Sequence, residues 1–221
     1  VATDPASRGQ GLASVCVERC LQKARAAGAS VAVLWGSEHK LYGRLGFRLA
    51  GVQLLGPLGA IEVGNSEQLN NTGKAPKLHE GWVPALFDLI AGERTRGLIL
   101  QERDRTWFSQ HRHTHWYWLG KDSRHPLAYA AINRGIDLPG IMHEWGGEAD
   151  ALRVLLASLA SRFPATQLLA HPDILKTRGM NFKVGASVQR EYLCLACDLG
   201  KEPGGFAQIE KQLWFWGLDG A

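Results

Sequence analysis

The sequence predicts an α/β (α+β) chain of mixed sheets flanked by helices, arranged as two tandem domains, and three observations carry that reading. A glycine-bearing loop near the start leads into a helical apolar repeat. A short β-branched run, "SVAVLW" at residues 30–35, follows that repeat as a buried strand. Residues 82–199 then read as ααβββαβαβ, an order whose back half matches the β-end, α, β, α, β of residues 1–55.

Each element has its own warrant. Val1 to Thr3 is expected to be the end of a strand, and residues 4–11 a loop. Ala13, Cys16, Val17, Cys20, Ala24 and Ala27 recur at helical spacing, with Glu18, Arg19, Gln22, Lys23 and Arg25 on the other faces, and Gly28 suits the C-terminal end. "SEHKLYGRLGF" (37–47) contains a second helix, with Ser37 as the expected N-cap, Glu38 in its first turn and Gly46 as its break. "FRLAGVQLL" continues as one strand. Pro84 fits the first turn of a helix over 82–96, and "DRTWFSQHRH" is another helical segment. "THWYWLGK", "PLAYAAINRG" and "GIMHEWGG" are three successive strands. Leu152, Leu155, Leu156, Leu159 and Phe163 form the apolar stripe of a long helix. "ATQLLAHP" is a strand, "DILKTRGM" a short helix and "VQREYLCLACDL" a final long strand. Polar, turn-rich residues 64–77 are the expected linker. The domains are therefore expected at 1–63 and 78–200, with a tail at 201–221.

Composition narrows the function classes. The 221 residues are 45% hydrophobic and 21% charged, with a net charge of +4 and no long basic run, which argues against nucleic acid as a partner. No apolar stretch is long enough to span a bilayer, and the first residues hold no secretory signal, so no membrane partner is expected. Cys16 and Cys20, one helical turn apart, are expected to be buried thiols on one face. Cys194 and Cys197 face opposite sides of a strand, which is poor geometry for zinc. Four reduced core cysteines fit a cytoplasmic protein. His111, His113 and His115 alternate but have no Cys, Asp or Glu run beside them, so no metal is expected. Trp107, Phe108, Trp116, Tyr117 and Trp118 are expected in the core, and "LWFWGLDGA" as an anchor for the tail.

The loop "ASRGQGLAS" (6–14) carries the chemistry. A helix N-terminus offers unpaired N–H groups and partial positive charge, glycines allow close approach of an anion, and Arg8 adds a forked cation. A dinucleotide fingerprint would need a third Gly or Ala at position 14, which is Ser14. It would also need an acid at the end of the next strand, which ends at Leu34-Trp35-Gly36.

Arg8-Gly9-Gln10-Gly11-Leu12-Ala13 stands instead in the form Gln/Arg-x-x-Gly-x-Gly/Ala. Tyr42-Gly43-Arg44-Leu45-Gly46-Phe47 follows at a matching distance. With these two motifs in order, the first 55 or so residues resemble the GCN5-related N-acetyltransferase (GNAT) family. "LWGSEHKLYGRLGF" most resembles the enhanced-intracellular-survival type, in which an acetyltransferase-like domain follows the first. The resemblance implies transfer of an acetyl group from acetyl-CoA to a primary amine, on a small molecule or a peptide, and leaves room for a homo-oligomer. It implies that Arg8, Gly9, Gln10, Gly11, Leu12 and Ala13 hold the CoA pyrophosphate. Main chain at Val1 and Thr3 would run along the pantetheine arm, and Tyr42 would protonate the leaving thiolate. It also implies that the first domain is N-terminally truncated, the missing elements carrying much of the acceptor pocket and the general base.

The corresponding junction of the second domain, "HEWGGEADALRVLL", has no counterpart of Arg8 and places Glu148 and Asp150 at the helix start. Those carboxylates would repel a pyrophosphate, so this domain is expected not to bind CoA. Glu144, on the strand leading in, is expected to be a buried or edge carboxylate with a local partner. The competing reading is a catalytically degenerate acetyltransferase fold serving as a binding or assembly module.

Overall fold

The computed structural model describes residues 1–63, 77–94, 100–110, 113–200 and 205–219. The expected linker apart from Lys77, together with His111 and Ala221, lies outside the described residues. In chain order the elements are α1 (Leu12–Ala26), β1 (Val31–Leu34), α2 (His39–Arg44), β2 (Phe47–Ala50), β3 (Gln53–Pro57), β4 (Ile61–Val63), β5 (Lys77–Glu80), α3 (Ala85–Glu93), α4 (Asp104–Gln110), β6 (His115–Gly120), β7 (Pro126–Ile132), β8 (Ile141–Gly147), α5 (Ala149–Arg162), β9 (Gln167–Ala170), α6 (Pro172–Thr177), β10 (Met180–Phe182), β11 (Gln189–Glu191), β12 (Cys194–Asp198) and α7 (Gly205–Gln212).

The chain divides into two compact units. Unit 1 comprises residues 1–52 and 192–213, and unit 2 comprises 53–191 and 214–221. In unit 1, β12 lies between β1 and β2 and pairs antiparallel with both. Val17 and Leu21 of α1, Tyr42 of α2, and Phe47, Leu195, Cys197 and Leu199 form its core. The helix α1 ends as the glycine at 28 suggests. The Gly28 N–H donates to Arg25 C=O at 3.0 Å and the Ala29 N–H to Ala24 C=O at 3.0 Å, the paired bonds of a Schellman ending. Arg48 on β2 reaches α7, bonding Glu210 at 3.2 Å and lying 4.3 Å over the Phe206 ring.

Unit 2 holds a seven-stranded sheet in the order β11-β3-β9-β8-β7-β6-β5, antiparallel except for β8 and β9. A separate ladder joins β4 and β10. Strand β6 is buried on both faces, which is why its sequence reads as a nearly unbroken apolar run. Trp116 and Trp118 face α3 and α4 in one core with Leu86, Phe87, Ile90, Phe108 and Tyr129. Tyr117, between them in sequence, takes the opposite face, where its ring lies 5.4 Å from Phe163. The stripe expected on α5 is buried through Leu152, Leu155, Leu156 and Leu159.

Several expectations are corrected. The runs 47–55 and 188–199 are not single strands. Each breaks in the middle, at Gly51-Val52 and at Tyr192-Leu193, and each sends its two halves into different sheets. The first break follows from Gly51, whose φ of 68° turns the chain out of the extended region. The Leu193 N–H donates to Ala50 C=O at 3.1 Å, which closes the ladder beside that turn. As a result β12, expected to end the second domain, completes the sheet of unit 1, and β3 joins the sheet of unit 2.

Cys16 and Cys20 are exposed; Val17, also on the expected stripe, is buried, and Leu21 is buried with it. A shift of one residue rotates a helix face by about 100°. Ser37 does not cap α2, whose N-cap is Glu38 without a side-chain bond. Val1 to Thr3 form no strand.

Candidate functional site

The loop before α1 is built by three local features. Pro5–Ser7 form a single 3-10 turn, started by Asp4, whose Oδ1 accepts the Ala6 N–H at 2.9 Å. Gly9 (φ 79°) and Gly11 (φ 73°) both take the left-handed conformation, which glycine adopts without steric cost. Gly11 is the N-cap of α1 and supplies no side-chain acceptor.

The electrostatic result follows directly. The first helical acceptor is Gly11 C=O, which takes the Val15 N–H at 3.1 Å. The N–H groups of Leu12, Ala13 and Ser14 therefore have no acceptor within the helix. No acidic residue stands in the first turn. Arg8 through Leu12 are exposed, and Ala13 is half-buried. Unsatisfied donors, the positive end of a 15-residue helix and an exposed guanidinium thus meet at one loop. These residues fit the diphosphate of a CoA-type ligand. A Cβ at Gly9 or Gly11 would meet nothing within 4 Å, so the space above the loop is open to a ligand.

Tyr42 lies in the core beneath α1. Its ring is 7% exposed, packs edge-on against Phe47 at 5.9 Å between centroids, and shares a cluster with Val17 and Leu21. The inner face of α1 and the Tyr42 ring are therefore held in one apolar unit. Val1 and Thr3 precede the loop in the same unit, with Val1 exposed and Thr3 half-buried.

The matching junction in unit 2 is chemically opposite. The N-cap of α5 is Glu148, and Asp150 in its first turn bonds Arg153 at 2.9 Å. The parallel strands β8 and β9 pair only through Ile141 with Gln167 and Met142 with Leu168. Beyond that point the Trp145 indole N–H donates to Leu169 C=O at 3.0 Å, and the ring is 1% exposed. Trp216 lies edge-on to Trp145 at 5.6 Å, Trp214 to Trp216 at 5.7 Å, and His171 to Trp214 at 5.7 Å. The Trp145 indole thus spans from β8 to β9 beyond their paired residues.

Sequence reasoning did not find the partners of Glu144. Its carboxylate is completely buried and its partners are distant in sequence. Arg94 Nη2 lies 2.8 Å from both of its oxygens, and the Leu218 N–H donates to Oε1 at 3.1 Å. Arg94 also bonds Asp219. Burial, reinforced by the Asp219 charge and opposed by Arg94, pushes the Glu144 carboxyl up to about 7. The signal available in the sequence was an acid within a strand otherwise free of charge. Among the described residues no group of three or more His, Cys, Asp or Glu could hold a metal ion. His113 and His115 are both exposed, and only His115 lies in a strand. No described helix is long and apolar enough to cross a membrane.

Residues 1–50 match the family described as the acetyltransferase (GNAT) domain. No curated protein matches the sequence. A GCN5-related N-acetyltransferase from Kribbella flavida is similar in structure, with a TM-score of 0.59 and 16% identity over 89% of this chain and 50% of that one. Another, from Anabaena variabilis, gives 0.57 and 14% over 90% and 54%. Eis1 from Mycobacterium abscessus gives 0.57 and 14% over 96% and 57%. This chain spans roughly half the length of these relatives. The chain carries the mixed α/β fold of the GCN5-related N-acetyltransferases, and its first 50 residues match the acetyltransferase domain of that superfamily.

Proposed function

We propose that the chain is the acetyl-CoA-binding part of a tandem-type N-acetyltransferase that acylates a primary amine. The observation that carries this reading is the loop at residues 8–13. It has two left-handed glycines, an uncapped 15-residue helix, no first-turn acid and an exposed arginine. The backbone amides of Arg8, Gly9, Gln10, Gly11, Leu12 and Ala13, with the Arg8 guanidinium, would hold the pyrophosphate. Main chain at Val1 and Thr3 would line the pantetheine arm as an added strand. When bound, acetyl-CoA supplies the activated thioester.

Direct attack by an amine creates negative charge on oxygen and then on the departing sulfur. A positioned phenol lowers the second cost by giving up its proton. Tyr42 is assigned that role. Its packing against Phe47 and the α1 face would fix the direction of the hydroxyl. Unit 2 is assigned the degenerate reading, because Glu148, Asp150 and the Trp145 indole occupy the positions where an anion and a pantetheine arm would need room. Transfer is tested by incubating the protein with acetyl-CoA and a panel of primary amines. Acetylated amine, identified by mass spectrometry and lost in Tyr42→Phe, supports the assignment. Transfer unchanged in Tyr42→Phe removes Tyr42 from it.

A further inference from the structure

The four cysteines fall into two pairs with opposite access. Cys194 and Cys197 on β12 are buried, and each Sγ lies 3.8 Å from a backbone carbonyl, that of Ala50 and that of Leu45. Burial pushes the Cys194 thiol up to about 11 and raises the Cys197 thiol as well, which keeps both protonated and unreactive. Cys16 and Cys20 are exposed free thiols on α1, and the acyl-transfer reading gives neither a role.

Helix geometry sets what this second pair can do. Residues four apart share one face, with Cβ atoms about 5–6 Å apart. A disulfide needs about 3.5–4.5 Å between them, so the two sulfurs do not close on one another while α1 is intact. One larger atom between the sulfurs adds a second bond to the bridge and meets the wider span. The positions within a turn of the pair are Leu12, Ala13, Val17, Arg19, Lys23 and Ala24, none of them a metal ligand. A tetrahedral zinc site, with its four ligands, is therefore not built here. A linear two-coordinate ion holds its sulfurs at opposite ends. Pyramidal trivalent arsenic holds them side by side, as side chains one turn apart are.

A monosubstituted trivalent arsenical asks for two thiols and nothing more, because carbon already takes its third valence. Its organic group needs the open solvent that an exposed helix face provides. Val17 and Leu21 pack the inner face of α1 into the core of unit 1, so the turn carrying both thiols is ordered before a ligand arrives.

We propose that Cys16 and Cys20 form a dithiol site that captures a monosubstituted trivalent arsenical. Two S–H bonds and the arsenic–oxygen double bond break, and two As–S bonds form. Both protons leave with the oxygen as water, and arsenic stays trivalent, so no oxidant or reductant is consumed. The site does not rest on acetyl-CoA binding at residues 8–13.

Phenylarsine oxide is the probe, added in equimolar amount to the native protein with excess glutathione as a competing monothiol. Mass spectrometry should show one phenylarsenic bridge per chain, mapped to Cys16 and Cys20, and titration of reactive thiols should fall by two. Cys16→Ser and Cys20→Ser should each hold the probe about 10²-fold more weakly against glutathione, because the second bond is no longer intramolecular. Cys20→Ser combined with Gln22→Cys, at two exposed positions, keeps two thiols but on different faces, and should fall to the single-thiol level. Cys194→Ala should retain the bridge, and circular dichroism would verify that each variant is folded. No adduct overturns the proposal. So does retention unchanged in either single-thiol variant or in the relocated pair, or a bridge mapped to Cys194 and Cys197.

Discussion

Arg94 and Glu144 form a two-point ion pair inside unit 2, with both Nη2–Oε distances at 2.8 Å and both side chains almost wholly buried. Asp219 bonds the same guanidinium, so one cation faces two carboxylates. Burial, reinforced by the Asp219 charge and opposed by Arg94, raises the Glu144 carboxyl to about 7.

A pH dependence follows. A carboxyl whose folded value is raised from 4.5 to about 7 binds its proton more tightly in the native state. Its contribution is complete below about pH 4.5 and is lost as pH rises through 7, with an upper limit of about 3 kcal/mol. Glu144→Gln, which cannot ionise, should flatten this part of the profile. Urea unfolding at pH 5 and pH 8 measures it. An identical pH slope in the variant would remove Glu144 as the source.

Gly51 supports a second prediction. A Cβ there would lie 2.9 Å from Leu193 Cβ, on a backbone already at φ 68°. Gly51→Ala should destabilise the protein by about 2 kcal/mol or more. Gly43 is the internal control. It is exposed in α2, and an added methyl would meet nothing within 4 Å. Gly43→Ala should therefore stabilise slightly, by about 0.5 kcal/mol. Denaturant midpoints moving in opposite directions would support the packing argument, and equal losses would contradict it.

Tyr42 separates packing from chemistry. Tyr42→Ala removes a ring from the core beneath α1 and should cost about 3 kcal/mol. Tyr42→Phe keeps the ring and should leave stability nearly intact. On the proposed role it should lower acetyl transfer by about 10²-fold with little change in acetyl-CoA affinity. A parallel fall in affinity and stability would make Tyr42 a purely structural residue.

Much of the architecture was legible in the sequence because periodicity and burial coincide there. The Leu152, Leu155, Leu156 and Leu159 stripe of α5 is the clear case; the β-branched run of β1 does form a strand, but a half-buried one where a buried one was expected. Strand pairing was less legible. An apolar run shows that a strand forms but not which sheet it joins, so 47–55 and 188–199 each read as one strand. Gly51 was the visible clue to the first break. The loop at residues 8–13 was legible because its glycines and its helix are adjacent in sequence. The Arg94–Glu144–Asp219 cluster was not, because its members are brought together only by the tertiary fold. The buried face of α1 was misjudged because Cys16 and Cys20, a residue type usually found inside, were read as core, while Leu21 takes that place beside Val17.

The central claim is that the loop at residues 8–13 holds acetyl-CoA while the matching junction of unit 2 does not. Calorimetric titration with acetyl-CoA tests it most directly. One site per chain is expected, weakened about tenfold by Arg8→Gln and abolished by Gly11→Val in a variant shown to be folded. No binding, two equivalent sites, or one site indifferent to both substitutions would contradict the account.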